Sequence, residues 1–224
     1  MYGPHRPISY LITSGETTAA TTFDSKDFQT ILQLIAAAVA ANIDLIQIRE
    51  KALTTRVLYE LVRRAAELTR DSLTKLLVND RADVAASAGA DGVHLTTRSL
   101  PAQVVRQSFS KDFLVGVSTH SLDQAREARE AGADFVVFGP VFQTPSKEGY
   151  GPPIGLESLK HVCAELDSFP VLAIGGVTQD NFAECLRAGA QGVAAIRMFG
   201  DPGLLRVIVA TIHEESLHRR SNFG

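Results

Sequence analysis

"LLVNDRADVAASAGADGVHL", residues 76–95, holds one complete structural unit. An apolar run, Leu76-Leu77-Val78, stops at the polar pair Asn79-Asp80. A short helical stretch follows and ends at Ala88-Gly89-Ala90-Asp91, and a second apolar run opens at once with Gly92-Val93-His94-Leu95. Glycine just past a helix end takes the left-handed conformation that closes the helix, so the chain turns directly into the next strand. The same signature returns as Ala131-Gly132-Ala133-Asp134 and Ala188-Gly189-Ala190-Gln191, with Ala41-Asn42-Ile43-Asp44 as a degenerate copy. Each copy precedes a β-type run.

Extended to the whole chain, this reading gives strands at Ile8–Thr13, Leu45–Arg49, Lys75–Asn79, Gly92–Leu95, Leu114–Ser118, Phe135–Gly139, Val171–Gly175 and Gly192–Arg197. Helical patterns such as Thr55–Thr69 and Leu122–Ala131 lie between them, with apolar residues three and four apart. Short apolar runs bounded by Gly and polar turns suit parallel strands buried on both faces. Eight strand–helix units in 224 residues, without a linker or a shift in composition, predict an α/β chain folded as a single (β/α)8 TIM barrel over 1–224. Residues 1–7 and 219–224 read as short tails. An open doubly wound sheet is the alternative, disfavoured because no Gly-rich dinucleotide loop follows the first strand.

Bulk properties exclude several classes. Hydrophobic content of 45% with 21% charged residues is ordinary for a globular protein. A net charge of −3 gives no case for nucleic acid or an anionic membrane as partner. No run approaches the roughly 20 apolar residues of a membrane span. The longest, Ile31 to Ala41, is Ala-rich, broken by Gln33, and reads as a packed helix. The opening residues carry no secretory h-region, and Cys163 and Cys185 sit far apart without metal-ligand spacing. Reduced packing cysteines in a cytoplasmic protein are the expectation.

In a (β/α)8 barrel the chemistry gathers where strands end. In Leu45-Ile46-Gln47-Ile48-Arg49-Glu50-Lys51, the residues Gln47, Arg49 and Lys51 share one parity, so an amide and two cations converge for an anion, unless the cations pair with neighbouring acids. Asp80 either caps a helix starting near Ala82 or holds Mg²⁺ beside those cations. His94, mid-strand, reads as a satisfied core histidine. Ser118 and His120 end the fifth strand, where a hydroxyl can meet an oxyanion and an imidazole can move a proton, or where both cap the helix from Leu122. Residues 139–153 form the longest irregular stretch, with Thr144, Ser146 and Lys147 suited to phosphate among Gly and Pro. Gly175-Gly176 lets backbone N–H groups approach an anion at a following helix N-terminus.

Taken together, "QIREK" (47–51), "VNDRADVA" (78–85), "GADGVHL" (89–95), "GVSTHS" (116–121), "GADFVVFGPVFQTPSK" (132–147) and "AIGGVT" (173–178) resemble the thiamine phosphate synthase family, including its TenI-like thiazole tautomerase branch. The resemblance implies a (β/α)8 barrel that joins a pyrimidine methyl diphosphate to a thiazole phosphate with Mg²⁺ and releases pyrophosphate. By motif, Gln47, Arg49, Lys51 and Asn79 would hold the diphosphate, with Ser118 and Lys147 assisting. Asp80 would bind Mg²⁺, and Thr144, Ser146, Gly175 and Gly176 would receive the thiazole phosphate. Lys51, Lys147 and His120 are the catalytic candidates. The implied partners are these small molecules, and no oligomeric state is read from the sequence.

Two positions depart from the family pattern. Ser99 stands where the family's synthases carry a second Mg²⁺-binding acid, and Arg197 ends the eighth strand in place of a small hydroxyl residue. Arg98 could partly replace the metal's charge, and Arg197 could grip a phosphate or crowd it. Both departures lean toward the tautomerase branch, which would use His120; a non-catalytic binding or regulatory protein of the same pathway is a further alternative.

Overall fold

Each repeated turn does two jobs in the structure. In the computed structural model, which describes residues 6–144 and 152–221 (216–221 by backbone alone), Asn42, Gly89, Gly132 and Gly189 all take positive φ, between 60° and 106°. At each copy the N–H of the third residue reaches back to a helix carbonyl: Ile43 to Ala38, Ala90 to Ala85, Ala133 to Ala128 and Ala190 to Cys185. This pattern satisfies the orphan carbonyls of a helix end. The fourth residue has a role that the sequence reading left unassigned. Asp44, Asp91, Asp134 and Gln191 accept the backbone N–H of Ser9, Leu76, Val115 and Val171, at 2.7–2.9 Å. Each signature therefore stops a helix and pins the start of the preceding strand, every second strand around the ring.

The strands are β1 Ile8–Ile12, β2 Leu45–Ile48, β3 Lys75–Asn79, β4 Gly92–Leu95, β5 Leu114–Thr119, β6 Phe135–Phe138, β7 Val171–Ile174 and β8 Gly192–Ala195. The helices are α1 Lys26–Ala40, α2 Thr55–Thr69, α3 Ala82–Ala88, α4 Ala102–Ser108, α5 Leu122–Glu130, α6 Gly155–Leu166, α7 Phe182–Arg187 and α8 Leu205–Ser221. All neighbouring strands pair in parallel, and β1 meets β8 to close the barrel. Closure rules out the open doubly wound sheet. Several strands end one or two residues sooner than expected. The helix α8 runs into the stretch read as a C-terminal tail, and Arg6 ion-pairs with Asp44 instead of trailing free.

Strand alternation divides the core in two. Tyr10, Ile12, Leu45, Leu77, Leu114, Phe135, Val137, Leu172 and Ala194 pack together inside the barrel. The other parity, with Leu11, Ile46, Val78, Val93 and Val136, packs against the helices. Among the described residues, no helix is long and apolar enough to cross a membrane. Cys163 and Cys185 both lie on helices, α6 and α7, as expected.

Candidate functional site

One hydrogen-bonded chain crosses the barrel and surfaces at its C-terminal mouth. Ser118 Oγ lies 2.9 Å from His94 Nε2, and His94 Nδ1 lies 3.1 Å from Tyr10 Oη. Tyr10 Oη donates to Gln47 Oε1 (3.3 Å), Gln47 Nε2 donates to Asn79 Oδ1 (3.0 Å), and Asn79 Nδ2 donates to Asp80 Oδ2 (2.8 Å). One proton arrangement satisfies all five contacts. Ser118 donates to Nε2, the Nδ1–H of a neutral His94 donates to Tyr10, and every later donor points toward the Asp80 carboxylate. In that arrangement the Ser118 hydroxyl hydrogen is turned to His94 and its oxygen is left as an acceptor.

His94 is the satisfied core histidine of the sequence reading. It is 2% exposed, and burial drives its pKa down to about 4 against a weaker opposing pull from the Asp80 charge. Gly116 makes room for it, since a Cβ there would fall 2.8 Å from Nδ1 and 2.3 Å from the Phe135 ring. A depressed histidine pKa means that the unfolded chain takes a proton the folded state refuses. The stability His94 lends is therefore full above pH 6.5, the ordinary value, and is lost as pH falls toward about 4. We expect urea midpoints to drop across that window, and His94→Gln to flatten the drop by on the order of 3 kcal/mol. An unchanged pH slope in the variant would remove His94 from this role.

Asp80 is not a helix cap. The N-cap position of α3 is Arg81, without a side-chain bond, and the Asp80 backbone is left-handed (φ 60°). Asp tolerates that conformation better than most residues. It turns the carboxylate toward β4, where Ser99 Oγ donates to Oδ1 and Thr96 Oγ1 donates to the same oxygen at 3.4 Å. Ser99 also accepts the Thr96 N–H at 2.6 Å. The position at which the resemblance predicts a second acid thus holds a hydroxyl aimed at the first.

Past β2, the competing arrangement, in which site cations pair with nearby acids, is not found among the described residues. Neither Arg49 nor Lys51 makes an ion pair among the described residues, and the same holds for Arg98 and Arg197. Parity accounts for Gln47 in the lumen and half-buried Arg49 above it. Lys51 lies in a turn beyond the strand, fully outside the alternation that was meant to place it. At β5, Ser121 caps α5 by accepting from Gln124 N, so neither Ser118 nor His120 is the cap. His120 is exposed, and its Nδ1 meets the Gly139 carbonyl. A carbonyl only accepts, so Nδ1 carries hydrogen and a neutral ring keeps its lone pair on Nε2.

Gly175 and Gly176 are required by crowding. Both take positive φ, and a Cβ would fall 2.5 Å from Pro140 Cα or 2.4 Å from the Gln143 carbonyl. The backbone bonds Val141 N to Ile174 O (2.8 Å) and Phe142 N to Gly175 O (2.9 Å) lace the two loops together. No helix N-terminus follows directly, however; α7 begins only at Phe182 and is six residues long. Thr144 is half-buried at the end of the laced segment, while Ser146 and Lys147 lie outside the described residues. Arg197 is exposed just past β8. Sequence reasoning missed Tyr10, although its parity with Ile8 and Ile12 was available as a signal. It also passed over Glu50, whose buried carboxylate holds the β1–α1 loop.

A model of the family described as thiamine monophosphate synthase matches residues 18–199. A protein of Geobacter sulfurreducens named putative thiamine-phosphate synthase is 44% identical over 77% of this chain and 81% of its own. A thiamine-phosphate synthase of Moorella thermoacetica is 43% identical over 74% and 78%. The solved thiamine phosphate pyrophosphorylase of Pyrococcus furiosus superposes with a TM-score of 0.74 at 31% identity, covering 93% of this chain and 98% of that one. With the closed barrel and a polar chain opening at its C-terminal mouth, these likenesses show that the chain belongs to the thiamine monophosphate synthase family.

Proposed function

We propose that the protein is a thiamine phosphate synthase, condensing a pyrimidine methyl diphosphate with a thiazole phosphate and releasing pyrophosphate. One observation carries this reading: Arg49 and Lys51, which make no ion pair among the described residues, follow the C-terminal end of β2, where the Gln47–Asn79–Asp80 chain surfaces. Cations and amide donors gathered there would bind the diphosphate and stabilise its negative charge as the bond to the pyrimidine methylene breaks. The thiazole nitrogen then attacks that carbon. The laced loops at Gly175-Gly176 and Thr144, with Ser146 and Lys147 beyond it in the chain, would receive the thiazole phosphate, and Arg197, just past β8, would add a bidentate contact.

The donor set fits Mg²⁺, a hard ion that favours oxygen ligands. Asp80 would hold it, with the Ser99 and Thr96 hydroxyl oxygens already at that carboxylate. No group of three or more His, Cys, Asp or Glu residues gathers for a metal among the described residues, so diphosphate oxygens and water would complete the shell. When bound, Mg²⁺ would offset charge on the leaving diphosphate.

His120 favours a second reading. A ring oriented by the Gly139 carbonyl, with no partner at Nε2 among the described residues, is suited to moving a proton, as a thiazole tautomerase requires. Supplying both condensation substrates with Mg²⁺ and measuring thiamine phosphate and pyrophosphate separates the two. We expect stoichiometric formation of both products. No condensation at high enzyme concentration, combined with tautomer interconversion abolished by His120→Ala, would establish the tautomerase instead.

A further inference from the structure

Glu50 lies between Arg49 and Lys51 in the chain, where a carboxylate could cancel the positive charge of the mouth. It is directed elsewhere. The side chain is buried, and its Oε1 accepts the Gly15 N–H at 3.1 Å. Its Oε2 accepts the Thr17 N–H at 3.3 Å and the Thr17 hydroxyl at 2.7 Å. All three donors belong to the β1–α1 loop. That loop in turn bounds Arg49. Gly15 sits at φ +76°, and a Cβ there would come within 3.2 Å of Arg49 Nη1 and 3.1 Å of the Arg49 carbonyl. Thr13 Oγ1 accepts the Arg49 N–H at 2.9 Å. The guanidinium therefore lies against a loop whose position depends on one buried carboxylate.

We infer that Glu50 is a positioning residue: its carboxylate clamps the β1–α1 loop at Gly15 and Thr17, and the loop directs the Arg49 guanidinium to its anion. This rests on the proposed function, in which Arg49 meets a diphosphate. The sign of the effect sets the clamp apart from simple electrostatics. Removing a negative charge beside an anion site strengthens anion binding on Coulombic grounds. Loss of the clamp weakens it, because a buried acceptor of three N–H and O–H groups is replaced by one that leaves donors unpaired.

Pyrophosphate with Mg²⁺ is the probe, titrated calorimetrically into the wild type, Glu50→Gln, Arg49→Gln and the double variant. Glu50→Gln keeps the side-chain shape but turns an amide NH₂ toward N–H donors. We expect it to weaken binding about tenfold, the scale of losing hydrogen bonds to a charged group. The double variant should bind no worse than Arg49→Gln alone, because Glu50 acts only through Arg49. Thr17→Val, which removes one donor and leaves the carboxylate, should weaken binding in the same direction and speed amide exchange at Gly15. Binding equal to or tighter than wild type in folded Glu50→Gln would overturn the inference, as would additive losses in the double variant. Should Glu50→Gln fail to fold, unchanged affinity in Thr17→Val overturns it equally. A wild type that does not bind pyrophosphate would sink the proposed function and this inference together, whereas a wild type that binds and a Glu50→Gln variant that matches it would sink the inference alone.

Discussion

Asp80→Asn is expected to slow condensation by at least about 100-fold while leaving stability within roughly 0.5 kcal/mol of wild type. The contrast follows from where the carboxylate points. Asp80 is exposed, makes no cap to α3, and meets Asn79, Ser99 and Thr96 instead. Asparagine preserves size and the left-handed preference, so the backbone at φ 60° loses little. It removes the negative charge and presents an NH₂ either to the Asn79 amide donor or to the Ser99 hydroxyl. Steady-state rates over a Mg²⁺ series, with urea melts of the same preparations, test both halves. Wild-type activity in the variant would defeat the metal assignment, and a large stability loss would restore a structural role. Ser99→Asp probes the same point from the other side, since a second carboxylate should tighten Mn²⁺ binding measured without substrate.

The fold was legible because its punctuation is chemical. A helix stop that needs positive φ selects Gly or Asn, so Asn42, Gly89, Gly132 and Gly189 announced the repeat before any strand was paired. Strand ends were legible only to a residue or two, because ladder bonds decide them, and the β2–β3 ladder stops at Ile48, one residue before Arg49. The site was half legible. Gln47 could be named from parity, Asp80 from position and Asn79 from the family resemblance, and the structure joins them into one chain. The contact between Tyr10 and His94 was beyond reach, because 84 residues separate them and only barrel closure brings them together. Glu50 was passed over for a related reason: the partners of its carboxylate lie 33 to 35 residues away, in a loop that begins past β1.

The opposite end of the barrel should behave oppositely, and Asp44→Ala is the test. Asp44 is 3% exposed at the N-terminal end of β2, where it accepts the Ser9 N–H at 2.9 Å and the Ser9 hydroxyl at 2.8 Å. Arg6 pairs with its other oxygen, and His213 Nε2 on α8 lies 3.2 Å away. Burial alone would raise its pKa, but hydrogen bonds from His213 and Ser9, with the charge of Arg6, pull it below the usual carboxylate value. Truncation removes the common partner of a strand N–H, a hydroxyl and two basic side chains, and should cost about 3–5 kcal/mol, the range for breaking a buried charged cluster. Rates normalised to folded protein should stay at the wild-type level, because conserved chemistry in such barrels sits at the other face. The pH dependence gives the sign. A depressed carboxylate pKa lends stability that is complete above the unfolded value of 3.8 and disappears as pH falls through the folded one. The gap between wild type and Asp44→Ala in urea melts should therefore be full above pH 3.8 and narrow as pH falls below it. A gap that persists unchanged at pH 3 would mean that the packing of α8 and Arg6 against β1, and not the ionised carboxylate, holds this end of the barrel together.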